Sequence, residues 1–134
     1  MYLTLLKHEE KKLFLNLVVI LASSDGNYSD KEKSMINGYC QEMGIPYMLD
    51  NQDSVLEDVV SKINQSCDTK TKKIMVFEAI GLAVSDNIFH QSERVIIKKM
   101  MDIFKLDKGF DEKCEAAINE YMSFQTKLNE LVIG

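Results

Sequence analysis

Tryptophan is absent from this 134-residue chain, proline occurs once and glycine six times. With so few helix breakers, scattered rather than clustered, the sequence holds no linker long enough to separate two domains. Excess positive charge is also missing. The 16 Lys and Arg face 21 Asp and Glu, a net charge of −5, and the lysines are interspersed with acids. Phosphate binding needs a basic footprint, so nucleic acid is disfavoured as a main partner. Three cysteines, Cys40, Cys67 and Cys114, are odd in number and contain no C-x-x-C. Each sits among apolar neighbours and reads as a reduced core thiol of a cytosolic protein. Long apolar runs are lacking as well. The stretch from Leu13 to Ala22 is too short to span a bilayer, and Glu9 and Glu10 before it are wrong for a signal peptide. No phosphate-binding glycine motif and no nucleophile-base arrangement is discernible, so the chain is expected not to be an enzyme and to lie in the cytoplasm.

What is present is an ordinary globular balance of 46% apolar and 28% charged residues, with eight methionines suited to an adaptable core. By length the chain is a single domain over residues 1–134. Its strongest feature is self-similarity. The stretch from Leu21 to Glu32 returns 61 positions later as Leu82 to Glu93, and the match runs without a gap through Ile36 and Ile97 to Ile45 and Leu106. Repeat units of about 12–45 and 73–106 are therefore expected, each a helix–loop–helix.

Periodicity makes every segment helical. The first helix is predicted from Thr4 to Ser24, ended by the loop Asp25-Gly26-Asn27-Tyr28, where Gly26 supplies a left-handed residue. A second is predicted from Asp30 to Met43, stopped by Gly44-Ile45-Pro46. Further helices are predicted over Asp53–Gln65, Thr69–Ser85, Gln91–Lys105 and Asp111–Leu131, the last with Cys114, Ala117, Ile118, Tyr121, Leu128 and Leu131 facing inward. No segment alternates with the period of a strand. The fold class is all-α: a compact single-domain bundle of about six to seven helices with an internal pseudo-two-fold repeat.

The motif Leu21-Ala22, Asp25-Gly26, Glu32, Ile36, repeated as Leu82-Ala83, Asp86, Glu93, Ile97, resembles the TerB-like family, tellurite-resistance protein B and its relatives. The resemblance covers roughly Lys12 to Phe110. It implies a helical domain with internal symmetry, found alone or within larger proteins linked to tellurite and other stress responses. It further implies metal-ion binding by the acidic motif positions and association with membrane partners. Asn87 in place of the second glycine, and His90 in place of Ser29, depart from the pattern.

Asp25, Glu32, Asp86 and Glu93 are thus the candidate metal ligands, hard oxygen donors suited to Ca²⁺, Mg²⁺ or Mn²⁺. Asp86, His90 and Glu93 form a D-x-x-x-H-x-x-E set that also admits Zn²⁺. A second role is open to the same acids. Ser29-Asp30-Lys31-Glu32 is a capping box, and Asp25 can bond within its own turn. An EF-hand register is excluded, because its first ligand position falls on Leu21 and Leu82. The expected function is a non-enzymatic interaction or stress-response module with a protein partner, membrane-associated or a second copy of itself. The alternatives are a dedicated metal- or oxyanion-handling protein of the tellurite-resistance type and, behind it, a metal-dependent hydrolase.

Overall fold

The computed structural model describes residues 1–24, 26, 28–47, 55–85 and 89–134. Among these residues a 3₁₀ turn, Leu3–Leu5, precedes six helices: α1 His8–Ala22, α2 Asp30–Met43, α3 Leu56–Ser66, α4 Thr69–Ala83, α5 Gln91–Phe104 and α6 Phe110–Val132. Among the described residues there is no strand, and no helix is long and apolar enough to cross a membrane.

Helices α1 and α4 pack on each other at the centre and gather the rest. Helices α2 and α3 lean mainly on α1, α6 leans on α4, and α5 bridges α3 and α4. The two central helices explain themselves from sequence. Phe14, Leu17, Val18 and Leu21 on α1, and Met75, Val76, Ala79 and Ile80 on α4, are fully buried, so each helix is apolar nearly all round. Amphipathic α2 and α5 cover them with one face each, through Ile36, Cys40 and Met43 and through Ile97, Met100 and Phe104.

Helix ends 61 residues apart close in matching ways. α2 ends on Gly44 at φ +70°, with the Ile45 amide donating to the Cys40 carbonyl at 3.0 Å. α5 ends on Lys105 at φ +54°, with the Leu106 amide donating to the Met101 carbonyl at 3.2 Å. Both are left-handed caps that return an amide to orphan carbonyls of the last turn. Gly26 has the expected positive φ, +78°. Asp53 at the predicted start of the third helix, and Asn87, lie outside the described residues.

Two expectations need correction. The first predicted helix does not begin at Thr4: Leu6 is extended, and α1 starts after Lys7. A helix continued back through Leu6 would tie the Lys7 amide to the Leu3 carbonyl, whereas that amide donates to the Glu10 carboxylate at 2.8 Å and starts α1. Nor does α6 bury its whole stripe. Cys114 is buried and Ile118 and Met122 half-buried, but Ala117, Tyr121, Leu128 and Leu131 are exposed, because the helix runs on past the body it packs against.

Candidate functional site

Three helices, α1, α2 and α5, begin with the same lock: the N-cap amide donates to a glutamate three residues on. The donors are Lys7 to Glu10 at 2.8 Å, Ser29 to Glu32 at 3.1 Å and His90 to Glu93 at 3.2 Å. In α2 the lock is reciprocal, since the Glu32 amide donates to Ser29 Oγ at 3.1 Å, and Ser29 Oγ donates to Glu32 Oε1 at 3.0 Å. All three glutamates are buried: Glu10 at 7% exposure, Glu32 at 4% and Glu93 at 2%. A carboxylate so far from water needs such donors, and each also faces the positive end of its helix.

Glu10 informs the reading of the other two. It lies outside the repeated motif, yet it is buried and bonded in the same way. The same capping bond therefore holds one oxygen of each of Glu32 and Glu93, as it does of Glu10, without invoking an ion. Lys7 is no conventional cap, which is why the α1 lock was illegible in the sequence; the spacing to Glu10 was the only signal.

Asp25 and Asp86 lie outside the described residues. Among the described residues no group of three or more His, Cys, Asp or Glu side chains is placed to hold a metal. Glu32 and Glu93 sit on α2 and α5, helices that share no substantial packing interface among the described residues; both lean instead on α1 and α4. A direct link between the two units exists nearby. Ser24 Oγ, at the end of α1, and Ser92 Oγ, in the first turn of α5, are hydrogen-bonded to each other at 3.2 Å. The residue before Asp25 thus touches the residue before Glu93. Ser24 and Ser85, 61 apart, bond back in the same way to the Leu21 and Leu82 carbonyls at 2.8 and 2.7 Å.

A second region carries more open space. Between the 3₁₀ turn, α4 and the first half of α6 run two adjoining apolar depressions, of about 570 and 580 Å³, that share Tyr2 and Phe77. The first is walled by Leu5, Ile74, Phe110 and Cys114, with Lys70 and Lys73 at its edge. The second is walled by Met35, Tyr39, Ala117, Tyr121 and Met122. The segment that separates them is fixed by two carboxylates. Glu78 accepts from the Met1 ammonium and the Tyr2 amide, both at 3.0 Å. Glu42 accepts from the Leu3 amide at 3.0 Å and the Met1 ammonium at 3.2 Å. Burial opposes the charge on the ammonium, but Glu78 and then Glu42 outweigh it and raise its pKa. Neither glutamate stood out in the sequence, since each lies on a regular helix with no motif around it.

The thiols are inert by environment. Burial pushes all three up, and Cys114, also near the Asp111 carboxylate, is pushed to about 11. Tyr39 hydrogen-bonds the Glu78 carbonyl at 3.2 Å, and burial raises its phenol far above the ordinary range. No nucleophile with an activating base is assembled among these groups. Comparison of the chain with protein-family models, with curated proteins and with solved structures finds no match.

Proposed function

We propose that the chain is a non-enzymatic, cytoplasmic interaction module of TerB-like kind serving a stress response, its protein partner docked in the apolar groove between the 3₁₀ turn, α4 and α6. The groove carries this reading. It is lined by large apolar side chains with two lysines at one edge, and an apolar site with a few polar groups is the usual form of a recognition surface. The duplicated motif and the matching helix ends support the family reading. A photo-reactive amino acid placed at Leu5, on the rim of the groove, tests it in cells. A discrete adduct is expected, and a chain that cross-links to nothing sinks the proposal.

A second reading follows from Glu32 and Glu93. Their carboxylates are hard donors at the right motif positions, and with Asp25 and Asp86 they would hold a divalent cation, Ca²⁺, Mg²⁺, Mn²⁺ or Zn²⁺. Such an ion would gate the module or, in a metal- or oxyanion-handling protein, be its cargo. Capping and ligation are separable, because glutamine keeps the capping bond and loses the charge. In the cation reading, Ca²⁺, Mn²⁺ or Zn²⁺ raises Tm, and Glu32→Gln with Glu93→Gln removes that rise while leaving the ion-free Tm nearly unchanged. An ion-free chain whose Tm ignores all four cations rejects the reading.

A further inference from the structure

Apolar positions on α6 continue beyond Phe110 and Cys114 at Ala117, Tyr121, Phe124, Leu128 and Leu131, alternating steps of four and three. This is the heptad seam of a coiled coil, and it needs a facing helix along its whole length. Among the described residues only the first half finds one. Beyond Met122 every residue of α6 is exposed, Phe124 at 59% and Leu131 at 80%.

We infer that the exposed half of α6 pairs with α6 of a second copy, antiparallel, each helix laying its tip along the groove of the other; this rests on the groove being an interaction surface and names its occupant. Charge selects the arrangement. With Tyr121 of one copy against Phe124 of the other, Leu128 faces Ala117 and Leu131 faces Cys114. The flanking positions then set Glu120 against Lys127, twice by symmetry. A slip of one heptad places Glu120 against Glu120 and Lys113 against Lys127. Parallel pairing puts these charges opposite Gln125 and Val132 and makes no ion pair.

The groove fits what arrives. In this register Leu131, Val132 and Ile133 reach the end walled by Leu5, Phe110 and Cys114, whose edge holds Lys70 and Lys73. Helix α6 has no basic residue in its last turn, so its negative end gains two lysines it lacks at home. The area is sufficient: with large side chains covering ~150–250 Å² each, the half- to four-fifths-exposed residues of the tip and rim present on the order of 800 Å², the per-partner size of a standard interface. A lipid surface is the poorer occupant. Lys127 is the one cation after residue 119, against Glu120 and Glu130, whereas a membrane-lying helix carries a basic face.

Sedimentation velocity across a concentration series, on the full chain, tests the pairing. The wild type is expected to dimerise. Glu120→Lys should weaken the dimer about tenfold or more by opposing Lys127, and Glu120→Lys with Lys127→Glu should restore it. Phe124→Glu should leave a monomer with unchanged helical circular dichroism. A wild type that is monomeric at every concentration overturns the inference, as does a dimer that the double charge swap fails to rescue. So does flotation with phosphatidylserine vesicles that Phe124→Glu abolishes. The Leu5 cross-link separates the two claims: an adduct of twice the chain mass supports both, an adduct of another mass sinks self-pairing alone, and none sinks both.

Discussion

Lys105 holds a backbone shape that its partner position 61 residues earlier, Gly44, holds at no steric cost. A Cβ in the left-handed region costs about 1–2 kcal/mol, part of which glycine returns as chain entropy. Lys105→Gly is therefore expected to stabilise the protein by about 0.5–1 kcal/mol, and Gly44→Ala to destabilise it by about 1 kcal/mol, both measured by urea unfolding. Sequence made the first cap plain through Gly44 and Pro46 but hid the second, because lysine carries no preference for that geometry. Cys114 offers a pH test at the same scale. Its folded thiol is raised from the ordinary 9.0 to about 11 by burial and by Asp111. Being raised, it contributes its stability in full below about pH 9 and loses it as pH climbs towards 11. At neutral pH iodoacetamide should label this thiol slowly in the folded chain and rapidly in urea; equal rates would contradict its burial.

Among the elements, the second through the fifth helices were legible from their apolar faces, and at Met43-Gly44 a stop signal coincides with the end of that face. The first was drawn back to Thr4 across Leu6, which is extended. The last was misread because periodicity reports that a face is apolar, not what covers it, so Leu128 and Leu131 looked like core and are exposed. The distinction is measurable. Phe14 on α1 is fully buried, its ring tilted against Tyr39 at 5.8 Å, and Phe14→Ala should cost about 3–5 kcal/mol. Leu128→Ala on α6 should change the stability of the monomer by less than about 0.5 kcal/mol. A large loss at Leu128 in dilute solution would mean that α6 folds back on its own body. At the candidate site the sequence showed the four acids but not how ordinary the burial of Glu32 and Glu93 is, since Glu10 provides the comparison only once α1 is folded.

Seen whole, the protein is a helical body around α1 and α4 with one helix overreaching it. Self-pairing couples folding to concentration, because association of native chains pulls the unfolding equilibrium towards the folded side. Tm is therefore expected to rise with protein concentration in the wild type and to stay flat in Phe124→Glu, by differential scanning calorimetry over the same series. A flat wild-type curve would speak for a monomer. The sheltered cysteines have a practical corollary. Cys40, Cys67 and Cys114 are all buried, so a thiol introduced at Ser123 or Thr126 would be the only fast-reacting one on the molecule. A nitroxide attached there would turn the tip of α6 into a spectroscopic ruler, with no native cysteine removed to make room for it.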